Sequence, residues 1–181
     1  MAFEAVYLQS VRKQFIMYKT LGENAIAQLS EQELYFQPES NSNSIAIIVQ
    51  HLHGNMISRF TNFLTEDGEK PWRERDKEFL LPAGFNREGE VAALWAEGWD
   101  CALNAIDQLT PAELGNTIKI RQQPLLVLDA INRQLTHYAS HVGQIVYLAK
   151  MIKGAAWKSL SIPKGESDLF NQEMAKKFTT G

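Results

Sequence analysis

The chain has 181 residues but one cysteine, four histidines and six prolines, and its charges nearly cancel, with 18 Lys+Arg against 21 Asp+Glu. Each shortage excludes something. Cys101 has no partner, so an internal disulfide is impossible and a reducing cytoplasm is the expected location. A lone cysteine within a helical pattern reads as a small core residue rather than a nucleophile. The net charge of -3 argues against a nucleic-acid groove or an anionic membrane surface as partner, since either usually needs a basic patch. No apolar run approaches roughly 18 residues, and Met1-Ala-Phe-Glu-Ala-Val-Tyr7 has neither a basic segment nor an apolar one before a cleavage site. Neither a membrane span nor a signal peptide is therefore expected. What remains, 45% hydrophobic and 22% charged, is the usage of a soluble globular domain able to bury its own core.

Apolar residues recur at helical spacing in four long stretches. Residues 3–29 carry Val6, Val11, Phe15, Tyr18 and Leu21, and no proline interrupts them. Residues 30–44 are polar and read as a crossover ending at a helix N-cap, Asn43 or Ser44. A second helix is predicted over 45–65, a third over 87–109 and a fourth over 124–153, stopping at Gly154. Between the second and third lies a long loop, 66–86, with Gly68, Pro71, Pro82 and Gly84 among many charges. Loops of that length in a small domain are often functional. Thr110-Pro111 has the pattern of a helix start, and Ile118 and Ile120 suggest a short extended piece. The expectation is an all-α four-helix bundle over 1–154 with a long crossover after its first helix. Residues 155–181 form a C-terminal extension docked through Trp157, Leu160, Ile162 and Phe170, with Lys176 to Gly181 frayed.

The histidines fall in two pairs. His137 and His141 are four apart, so on one helix they project from one face a turn apart and can offer two imidazoles to one metal ion. At 100° per residue they point about 60 to 100° from the centre of the stripe of Ile131, Tyr138, Val142 and Ile145, at the shoulder where a cleft opens. His51 and His53 are two apart and face opposite ways, so only one of them can join the same ion. Periodicity over the whole helix slightly favours His53 as the buried one, while the first turn, apolar all round, leaves His51 open.

Ser44-Ile45 followed by His51-Leu52, and much later His137-Tyr-Ala-Ser-His141-Val-Gly143-Gln144-Ile145, resembles the DinB/YfiT-like superfamily of metal-dependent enzymes. The resemblance covers residues 3 to about 153. It implies a four-helix bundle with a three-histidine metal site formed by His51, His137 and His141. The loop Asp67-Gly-Glu-Lys-Pro-Trp-Arg-Glu-Arg-Asp76 is similar to a feature of one small branch without a characterised function. Relatives in the superfamily include S-transferases and isomerases that use a low-molecular-weight thiol. The resemblance therefore implies a small-molecule substrate or thiol as partner, a role in detoxification or stress response, and a homodimer.

Three neutral imidazoles with an open fourth position suit catalytic zinc, and nickel, iron or manganese also accept imidazole. Such an ion lowers the pKa of a water or thiol bound to it. Asn55 and Gln144, each near a candidate ligand, are placed to orient an imidazole or to make an ordinary interhelical hydrogen bond. Arg59, Arg73 and Arg75 suit a carboxylate, although charges around a loop are usually solvated. Trp72, Trp95 and Trp99 read as core or loop anchors. The competing expectation is a non-catalytic helical homodimer, an interaction module whose metal site is structural or vestigial.

Overall fold

A computed structural model describes residues 2–80 and 89–179. Four long helices form an all-α bundle: α1 (Phe3–Ile26), α3 (Ile45–Phe60), α4 (Glu90–Asp107) and α5 (Val127–Lys153). They pack in a ring, α3 against α4 and α5, and α1 against α5 and α4. The crossover from α1 to α3 holds the one-turn α2 (Glu31–Leu34), which starts at a capping box of Ser30 and Glu33. Ser44 is the N-cap of α3, its hydroxyl accepting from the Ile47 amide at 3.2 Å. No described helix is long and apolar enough to cross a membrane.

The centre of the bundle is an aromatic knot with one ring from each long helix. Phe15 of α1 meets Phe60 of α3, Trp99 of α4 and Tyr138 of α5 edge to face, with centroids 6.3, 6.2 and 5.8 Å away. Edge-to-face contacts of this kind contribute about 0.5 to 1.5 kcal/mol beyond area burial. The knot also fixes the rotation of α5, because Tyr138 is fully buried and its hydroxyl donates to Asn55 Oδ1 of α3 at 3.0 Å. The neighbouring His137 is thereby turned toward the cleft between α3 and α5.

Three boundaries differ from the sequence reading. α3 ends at Phe60 rather than 65, and Asn62 just beyond it has φ 50°, where a helix cannot continue. α4 begins at Glu90 after Gly89 at φ 80°. The expected start at Arg87, like Pro82 and Gly84, lies outside the described residues. Residues 124–126, expected to open the last helix, belong instead to a hairpin of β1 (Thr117–Ile120) and β2 (Gln123–Leu126). Its turn places Arg121 and Gln122 at φ 54° and 63°, the primed-turn conformation that usually calls for Asn-Gly. Asp67 supplies what the turn residues lack. Its carboxylate accepts from the Arg121 and Gln122 amides at 2.8 and 2.7 Å and from the Glu69 amide at 2.8 Å.

Residues 66–80 form a strap over α3, with a 3-10 turn at Arg75–Phe79. It is held by charge and backbone contacts more than by apolar burial. Buried Lys70 pairs with Glu66 at 2.7 Å, and buried Arg59 donates to the Gly68 carbonyl and to Glu69. Gln50 Nε2 reaches the carbonyls of Lys77, Glu78 and Leu80.

After α5, Trp157 and Leu160 pack against the core, and Lys158 exchanges hydrogen bonds of 2.9 and 3.1 Å with the Gln28 amide. Ile162 and Phe170 are exposed, as are the described side chains of α6 (Ser167–Thr179).

Candidate metal centre

His51 leaves α3 toward α5, where His137 and His141 stand one turn apart. The three rings converge. His137 Nε2 lies 3.3 Å from His51 Nε2 and 3.0 Å from His141 Nε2, and one nitrogen from each ring falls within 4.8 Å of the others. His53 is not part of the cluster. It lies at the border with α4, where its Nε2 is 3.0 Å from Glu97. His51, in contrast, is only 4% exposed. Periodicity points toward His53 because it measures the face that α4 and the core cover. The face carrying His51 is buried by the strap, an irregular element that leaves no helical period.

The outer nitrogens of the rings decide what the inner ones can do. His51 Nδ1–H donates to Glu78 Oε2 at 2.8 Å, since an ionised carboxylate can only accept. His141 Nδ1–H likewise donates to Gln144 Oε1 at 3.0 Å. With the protons on Nδ1, the Nε2 lone pairs of both rings face inward. Burial pushes His137 down to about 3, with the charges of His141 and His51 adding to the effect, so its ring is neutral at ordinary pH. His141 is lowered for the same leading reason, with His51 next. Three imidazoles, two of them holding lone pairs toward a common point, make a donor set of the kind that binds a divalent cation. Two of the three nitrogen separations, 3.3 and 3.0 Å, also fit. Nitrogens about 2.0 to 2.1 Å from a tetrahedral zinc stand roughly 3.3 Å from one another.

Glu78 is the residue that sequence reasoning missed. It comes from the strap, 27 residues after His51, within a run of charges that looks like solvated surface. Burial pushes its carboxyl up, but hydrogen bonds from His51 and Arg73, together with the Arg73 charge, outweigh that and hold it below the usual carboxylate range. Arg73 grips both of its oxygens, at 2.7 and 2.9 Å. A histidine backed by a carboxylate is held in one tautomer and made a more basic ligand. Phe79, the next residue, stacks on His51 with centroids 4.8 Å apart and shields the ring from solvent. The strap can come this close because residue 54 is glycine. A Cβ there would lie 2.5 Å from Glu78 Oε1 and 2.8 Å from its Cδ.

The other residues singled out from the sequence divide. Gln144 contacts His141, whereas Asn55 serves the interhelical bond to Tyr138 and touches none of the three rings by hydrogen bond. Arg59 and Arg73 are buried, contrary to the expectation for loop charges, because carboxylates of the strap and the Gly68 carbonyl pair with them; Arg75 is half-exposed. Trp95 and Trp99 are core, while Trp72 is exposed. Cys101 is half-buried beside Thr61, and burial pushes its thiol up, the opposite of what a nucleophile needs.

A family model described as "Protein of unknown function (DUF1572)" matches residues 2–166. No curated protein matches the chain.

Proposed function

The chain belongs to the DUF1572 family, and from the geometry of its own site we propose that it is a divalent-metal protein of the DinB/YfiT-like kind, with His51, His137 and His141 as ligands. The observation that carries this is the inward set of Nε2 lone pairs, fixed from outside by Glu78 and Gln144. Zinc or nickel suits three imidazoles best, and iron or manganese is a further choice. When bound, such an ion supplies Lewis acidity and makes a water or thiol nucleophilic near neutral pH.

The protein's residues do the rest. Glu78 and Gln144 orient two of the rings, Phe79 keeps water from the face of His51, and the Tyr138–Asn55 bond holds α5 against α3. The activity that suits this arrangement is metal-dependent transfer of a small thiol, or hydrolysis, acting on a small electrophile in detoxification or stress response. Titration of metal-stripped protein with zinc and with nickel, read by calorimetry and elemental analysis, is expected to give about one ion per chain. His137→Ala should abolish that uptake. Equal uptake by the variant, or none by either protein, ends this reading.

One observation favours a second reading. α6 presents Phe170, Met174 and Phe178 at four-residue spacing, and all three are exposed. An apolar stripe of this kind suits pairing with a second copy of the chain, which makes the protein a homodimeric interaction module with a structural or vestigial metal site. Light scattering then finds a dimer that Phe170→Asp with Phe178→Asp converts to monomer, with no activity toward electrophiles in the presence of a thiol.

A further inference from the structure

Beside the triad is a cavity of about 190 Å³. His51, His137 and Asn55 line one part of it. The rest of its wall is Arg59, Arg73, Arg75, Arg121 and Arg133, together with Gln134. Five arginines converge there and, among the described residues, no carboxylate lines the space, in a chain whose net charge is negative. Two are permanently placed: Arg59 and Arg73 have side chains only 5% and 2% exposed and are anchored by Glu69 and Glu78. Arg121 is brought in by the primed turn that Asp67 stabilises, and it also pairs with Glu69, at 3.0 Å. Arg75 lies over the Phe79 ring, 5.1 Å from its centroid. Arg133 forms no ion pair with any described residue.

The anchoring leaves polar capacity unused. Among the described residues, Arg73 Nη1 is buried without a hydrogen bond, with Glu69 no nearer than 3.9 Å, and Gln134 Oε1 is buried without a partner. Buried groups of this kind are normally satisfied, and leaving one open costs about 1 to 3 kcal/mol. A guanidinium whose fork is held rigid from one side, with a free N–H on the other, is suited to an oxyanion.

We propose that this cavity is the specificity site for a small anionic ligand, one carrying a carboxylate or phosphate group that the arginines bind while its other end faces His51 and His137. Its volume is that of roughly six water molecules at about 30 Å³ each, room for one carboxylate or phosphate group and a short attached chain. The inference rests on the metal-site reading only for what happens at the ligand's second end; the anion subsite itself depends on the arginines.

The test uses the full chain stripped of metal, titrated calorimetrically with inorganic phosphate and separately with malonate, against sodium chloride at equal ionic strength. Saturable binding of about one anion per chain is expected, and the preferred anion tells phosphate-bearing from carboxylate-bearing ligands. Arg75→Gln with Arg133→Gln leaves the buried arginine pairs in place and should weaken binding at least tenfold with an unchanged circular dichroism spectrum. His141→Ala, which removes a ring of the triad that does not line the cavity, should lose metal yet keep the anion, which separates this proposal from the metal site. No binding beyond the chloride control, or equal binding by the double arginine variant, overturns it whatever the metal titration shows.

Discussion

The two sides of the histidine cluster are built on different plans. On the α3 side, His51 is buried, stacked on Phe79 and backed by an ionised Glu78 that Arg73 also holds. On the α5 side, His141 is half-buried at the rim and is backed by a neutral amide three residues along its own helix. A buried carboxylate both orients a ring and makes it a stronger donor, whereas an exposed amide only orients it. In the proposed metal site, ligand strength would therefore come from the strap, and ligand placement from α5.

Glu78→Gln attacks the stronger side. It keeps an acceptor for His51 but removes the charge, leaving Arg73 buried beside a neutral group. Metal affinity should fall roughly 10- to 100-fold, and the metal-free protein should melt earlier, as breaking a buried pair costs about 3 to 5 kcal/mol at the upper limit. Calorimetry and thermal melts read the two effects. An affinity within twofold of wild type would mean that the strap only covers the site.

Acid probes both sides at once. His137 is held at about 3 in the folded chain against an ordinary value of 6.5, so its neutral burial favours the fold above pH 6.5. As pH falls from 6.5 toward 3 the unfolded chain takes up a proton that the folded one refuses, and stability declines. Glu78, whose carboxyl is lowered, adds a contribution present above the ordinary value of 4.5 and lost as pH drops below it. Metal-free protein should thus lose melting temperature steadily below pH 6.5, and His137→Ala should flatten the upper part of that slope. An equal slope in the variant would place the acid sensitivity elsewhere.

The smallest effect is expected on the α5 side. Gln144→Ala should weaken metal binding about tenfold or less, and His53→Ala, outside the cluster, should leave it unchanged with stability within about 0.5 kcal/mol. If Gln144→Ala proved as damaging as Glu78→Gln, the division between strength and placement would not hold.

The same contrast explains what is legible in the sequence. Whatever is local can be read there: four amphipathic helices, a cap at Asn43 or Ser44, the His137–His141 pair, and Gln144 within one turn of His141. The features that depend on distant segments cannot. The hairpin turn lacks Asn-Gly because Asp67, more than fifty residues earlier in the chain, does the stabilising. Pro124-Leu-Leu126 joins the apolar pattern of α5 without a break, so its strand looks like the first turn of the helix. The choice between His51 and His53 is decided by the strap, and the family resemblance points to the residue in the cluster where the helical period does not. Glu78 and Arg73 are hidden in a charged run, because their burial depends on each other and on His51.

Gly54 gives this arrangement a mark that can be searched for. A side chain at that position would displace the Glu78 carboxylate that bonds His51 and Arg73, so the histidine, the glycine three residues later and the glutamate of the strap belong together. In any related chain, a bulkier residue at the position of Gly54 would oblige the strap glutamate to move from the place where it backs the α3 histidine here.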